Sequence, residues 1–216
     1  MIKKEDIETS LVVSIAKSDL KEIVNDIAEI SLDTFFDDGM IKDVPIIGSL
    51  AKLYSAGKNI QEKIFEKKII AFLLETEKAK KESKNKFYDD LNNDESLRKK
   101  VGEQILVILE KIDDLEKPTI LGKLFKNFME EEINFEMFHR LATIIANCFL
   151  PDLKKLSIYK DKSQFNTFTS ISLENSGLVY MYHVRPEIFD ADGNQTGGSL
   201  YRITKLGQEL LKLGII

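Results

Sequence analysis

Glu136-Met137-Phe138-His139 is the arrangement in this chain nearest to metal chemistry, because a carboxylate and an imidazole three positions apart on a helix project toward one ion. A dinuclear site of that kind needs a second such pair and two more carboxylates, and the other histidine, His183, falls in a segment of strand character. An exposed helix face is the simpler expectation. Asp190-Ala191-Asp192-Gly193-Asn194 has the composition of a calcium loop. An EF-hand loop places glycine sixth and a bidentate glutamate twelfth, whereas here glycine is fourth and Tyr201 twelfth. Asp, Asn and Gly are equally what a hairpin turn requires.

Nucleophilic and phosphate chemistry find no better footing. Cys148 sits beside Ile145 and Phe149 on an apolar helix face, where a thiol is desolvated and inert. Gly48 and Gly57 lack the Lys-Ser/Thr that completes a phosphate-binding loop. Asp113, Asp114, Glu116 and Lys117 could suggest a nuclease cluster, but they fall at an expected helix end, where charges are solvated. No catalytic, cofactor-binding or metal-ligating residue is assigned, and the expectation is a protein that is not an enzyme and carries no cofactor.

The elements that would position any site begin with residues 44–81. Pro45 opens a run in which Ile46, Leu50, Leu53, Gly57, Ile60 and Ile64 recur at steps of four and three, the spacing of one helix face, before the seam slips to Phe65, Ile69 and Phe72. One long helix over 45–81 is expected, with Ile46, Leu50, Leu53, Ile60, Ile64 and Ile69 buried in a bundle. Gly48, Ser49, Ala51, Ser55, Ala56 and Gly57 thin one side for close approach of another backbone. From Lys52 to Lys86 there are ten Lys against five Glu, so the stretch is basic within a chain of net charge −5. Leu50, Leu53, Tyr54, Lys58, Lys63 and Lys67 are therefore the candidate interaction face, toward a protein or toward a membrane surface with lysines at the headgroups.

Asp19 and Glu22 begin a capped, amphipathic stretch over about 19–36, and residues 80–94 read as a solvated helix end and loop. Asp94 caps a helix with Leu97, Val101, Ile105, Ile108, Ile112 and Leu115 on one face. Pro118 opens a short helix with Leu121, Leu124, Phe125 and Phe128 inward. Asn134 caps another, with Phe138, Leu141, Ile144, Ile145 and Phe149 as its core. After residue 160 the pattern changes: FNTFTSISLENSG reads as a short helix ended by Gly177, Leu178–Val184 and Ser199–Ile203 as a hairpin, and Thr204 as the cap of a last helix.

With 216 residues, 43% hydrophobic and 31% charged, the chain has the make-up of an ordinary globular protein. A single cysteine excludes an intrachain disulfide, no apolar stretch approaches the ~20 residues of a membrane span, and the N-terminus has no secretory h-region, so a cytoplasmic location is expected.

The ending NSGLVYMY…GGSLYRITKLGQELLK resembles the last half of winged-helix modules, in which a helix leads into a two-stranded wing and an x-T-x-x-G step, here Thr204 to Gly207, opens a closing helix. That resemblance implies a wing with Arg185, Arg202 and Lys205 as contact residues. FNTFTSISLENSG has no Lys or Arg to reach phosphate, so nucleic acid is not the expected partner. The whole chain, through VPIIGSLAKLYSAGKNIQEKIFEKKIIAFL and DDLEKPTILGKLFKNFMEEEINFEMFHRLATII, is similar to uncharacterised bacterial proteins with a helical N-terminal region and a winged-helix-like end, loosely of the abortive-infection alpha type associated with phage defence. The expectation is a mostly α protein, a helical bundle over 1–159 followed by a winged-helix-like helix–hairpin–helix module over 160–216. Its expected function is interaction or regulation through a protein partner. Membrane-surface and DNA-binding roles are alternatives, and the oligomeric state stays open.

Overall fold

The computed structural model describes residues 6–17, 20, 44–53, 59–160, 164–165, 167–185, 192–193 and 198–214. The protein is mostly α, with two compact units, Met1–His139 and Arg140–Ile216. The boundary expected at 159/160 lies inside the second unit. The helix expected over 19–36 falls outside the described residues apart from Leu20, which is buried.

The first unit is a helical bundle of α1 (Ile7–Lys17), α2 (Pro45–Leu53), α3 (Ile60–Glu77), α4 (Lys81–Asn92), α5 (Glu95–Lys111) and α6 (Lys117–Met129), ending in the first turn of α7 (Phe135–Asn147). The single helix expected over 45–81 is thus two helices. Asn59 stops the continuity: extended at ψ 171°, it accepts the Glu62 N–H at 2.9 Å while Glu62 accepts the Asn59 N–H at 2.8 Å, a reciprocal capping box that starts α3 afresh. The phase of the expected seam breaks there. Ile46, Leu50 and Ile69 are buried and Ile64 half-buried, whereas Leu53 and Ile60, near the broken ends, are 51% and 76% exposed.

Segment 80–94, expected as a solvated helix end and loop, is mostly a helix of its own, α4. Its mean hydropathy is low, yet Lys84, Phe87 and Leu91 form one buried stripe at steps of three and four, and Lys84 pairs with buried Glu77 of α3 at 2.5 Å. The helix α1, which the apolar periodicity did not single out, packs Leu11, Val12 and Ile15 into the core. Its neighbour α5 starts at Asp94, whose carboxylate accepts the Leu97 N–H at 2.9 Å. Val101, Ile105, Ile108 and Ile112 are buried as expected, while Leu97 and Leu115 are exposed at the two ends.

Two glycines permit close helix crossings. Gly102 of α5 leaves no room for a Cβ against the Glu8 backbone of α1, and Gly122 of α6 does the same against Phe72 of α3. Beside that second crossing the core is aromatic. Phe72, Phe87, Phe128 and Phe138 surround Phe125 with ring centroids 5.1–5.5 Å away, mostly tilted or edge-on as ring quadrupoles favour.

The second unit takes the rest of α7, then α8 (Leu150–Leu153), a 3-10 turn (Leu156–Tyr159), β1 (Gln164–Phe165), α9 (Phe168–Asn175), β2 (Val179–Arg185), β3 (Gly198–Ile203) and α10 (Lys205–Lys212). The sheet is antiparallel in the order β1-β3-β2, with Val179 opposite Ile203, Tyr180 opposite Arg202 and a bulge between Met181 and His183. Helix α9 ends in a Schellman arrangement: Gly177, at φ 74°, donates to the Glu174 carbonyl, and Leu178 donates to that of Leu173. The Thr204–Gly207 step has a local physical reason. The Thr204 hydroxyl accepts the Gly207 N–H at 3.1 Å and donates to the Gly177 carbonyl at 2.8 Å. A Cβ on Gly207 would collide with the Leu178 carbonyl. Threonine caps α10 while glycine lets that helix start against the foot of β2.

Candidate interaction site

The α7 cap forms as expected, with Asn134 Oδ1 accepting the Met137 N–H at 2.9 Å. Because α7 ends at Asn147, Phe149 is no longer in its phase. It is the extended residue before α8 and is 64% exposed, not core. Ile144 is half-buried for a related reason: it lines a groove of about 610 Å³ between the end of α7 and α9. Thr143, Asn147 and buried Cys148 continue one wall, and Phe168 and Ile171 form the other.

Helix α9 carries two stripes, and this creates the groove. Ser170 and Leu173 point inward and are fully buried, while Phe168 and Ile171, also three apart, point outward. Polar contacts fix the helix in that rotation. The Ser170 hydroxyl lies 2.8 Å from that of buried Tyr159 and 3.1 Å from that of Thr167, which also accepts the Ser170 N–H. Thr169 donates to Asp152 of α8 at 2.7 Å. With its partner stripe so held, Phe168 stands 93% exposed at the mouth of the groove.

The sequence reading did not find this groove. Its available signal was the pairing of a Thr167 cap with Phe168 and Ile171 on one stripe and Leu173, five residues after Phe168, off that stripe, so that the three cannot all face one core. A second apolar surface lies on the hairpin. Tyr180, Met181 and Tyr182 are all exposed, the two tyrosine rings meet edge-on at 6.4 Å, and the Arg202 guanidinium lies 4.3 Å from the Tyr182 centroid.

The residues singled out in the sequence are dispersed. Leu50 is buried in α2, Leu53 exposed at its end, and Lys63 exposed and Lys67 half-buried on α3, so the capping box divides the set between two helices. Tyr54 and Lys58 lie outside the described residues. Arg185 ends β2 opposite Gly198, Arg202 is exposed in β3, and Lys205 is the exposed first residue of α10.

Glu136 and His139 are exposed on α7. Among the described residues no group of three His, Cys, Asp or Glu side chains is placed to hold a metal ion. Of the Asp190–Asn194 turn, only Asp192 and Gly193 are described, both exposed, with Gly193 at φ 79°. The Cys148 thiol contacts the Phe149 carbonyl at 3.8 Å.

The acidic group at 113–117 is a braced turn. Buried Lys117 binds Asp113 at 2.8 Å, and that hydrogen bond, with the adjacent positive charge, lowers the Asp113 pKa. The Asp114 carboxylate accepts the Glu116 N–H at 2.7 Å. Lys68 of α3 donates to the carbonyls of Ile112 and, at 3.3 Å, Glu110, capping the end of α5 from another helix. Burial pushes the Lys68 pKa down.

No helix among the described residues is long and apolar enough to cross a membrane. Comparison with known proteins adds no relative: no family model matches the chain, and neither does any curated protein or any solved structure.

Proposed function

We propose that this is a non-enzymatic interaction or regulatory protein of the bacterial cytoplasm that holds a protein partner on the exposed apolar surface of residues 140–216. The observation that carries this reading is Phe168, almost wholly solvated beside a groove whose opposite wall offers Ile144, Thr143 and Asn147. Aromatic anchors beside an apolar cleft with a polar rim are what a binding hot spot requires. The resemblance to abortive-infection proteins supplies a setting in phage defence. It rests on the segments quoted above and names no reaction.

Affinity capture from a bacterial host with the wild-type chain and with Phe168→Ala/Ile171→Ser tests this. A protein should be retained by the first and lost from the second, with both variants melting alike. Equal retention by both would remove the groove from the interaction, and nucleic acid in the wild-type eluate would favour a regulator that acts on DNA.

A membrane-surface role is the second reading, favoured by Leu53 on α2 and by Ile60 and Lys63 on α3, all three exposed. Flotation with anionic vesicles that is lost in Leu53→Ser/Ile60→Ser would promote it. Duplex DNA ranks third. The wing-like hairpin favours it, but α9, the helix that leads into that hairpin, has no Lys or Arg to displace counterions from phosphate.

A further inference from the structure

We draw no further inference here: the strongest candidate, the exposed surface patch of Tyr180, Tyr182 and Arg202 on the β2–β3 hairpin, carries nothing, because Glu187, Asp190 and Asp192 balance Arg185, Arg202 and Lys205 in charge over residues 179–205 and nothing in the structure shows what covers that face.

Discussion

The hydroxyl of Ser14 in α1 accepts the backbone N–H of Ile46 in α2 at 2.9 Å, both groups being buried. The first turn of α2 opens on Pro45, and the Ile46 donor in it is satisfied by a side chain 32 residues earlier in the sequence. Ser14→Ala should therefore cost about 0.5–2 kcal/mol, the range for a lost helix cap. Urea unfolding would check it, through a lower midpoint at unchanged slope.

Leu50 and Leu53 separate one turn of α2 into core and surface. Leu50 is buried, so Leu50→Ala should cost about 2–5 kcal/mol, the range for truncating a core leucine. Leu53 is half solvated, and Leu53→Ala should cost under about 1 kcal/mol, in keeping with surface substitutions. Parallel chemical denaturation of the two variants decides the matter, and equal losses would place Leu53 in the core after all.

How much of this was legible in the sequence depended on what kind of residue carried the signal. Asp94, Asn134, Thr167 and Thr204 each accept a backbone N–H three residues on, and three of these four caps were read directly because cap chemistry is local. The Asn59–Glu62 box has the same form, but apolar spacing continues smoothly across it, so periodicity outvoted the cap and one helix was read where two exist. The helix α4 was hidden because Lys84 fills a core position with its aliphatic stem and an ion pair, which no count of apolar residues registers. The candidate site was the least legible part. Whether Phe149 or Phe168 faces a core depends on where a helix ends and which of two stripes tertiary packing selects, and both are non-local facts.

Gly122→Ala should destabilise the bundle although alanine is the better helix former by about 1 kcal/mol. A Cβ at this position would stand 2.5 Å from the Phe72 carbonyl oxygen and 2.7 Å from the Glu75 Cβ, so α6 would have to move off α3. Overpacking of this kind costs about 1–3 kcal/mol, more than the propensity gain. Thermal melts would show a lowered midpoint. An unchanged or raised midpoint would mean that the two helices part without loss.

Lys68 should give the bundle a recognisable pH signature. Its folded pKa lies below the ordinary 10.5, chiefly through burial, so between the two values the unfolded chain binds more protons than the folded one. Stability then rises with pH across that window, as the cost of burying the charge is relieved. Relative to Lys68→Met, wild type should gain stability as the pH approaches 10.5 from below. Denaturation of both proteins at a series of pH values tests the sign, and a constant difference would mean that Lys68 titrates at its ordinary value.

The phenylalanine cluster around Phe125 also gives the molecule an optical division of labour. There is no tryptophan, and four of the six tyrosines, Tyr159, Tyr180, Tyr182 and Tyr201, fall in residues 140–216. Tyrosine emission therefore reports mainly on that unit, where Tyr159 and Tyr201 are buried. The packed rings of Phe72, Phe87, Phe125 and Phe138 contribute almost nothing to that emission, but they shift the resonances of neighbouring methyl groups. Loss of structure in the two units can thus be followed in one sample, by fluorescence for the second and by ring-shifted methyl signals for the first, without adding a label to either.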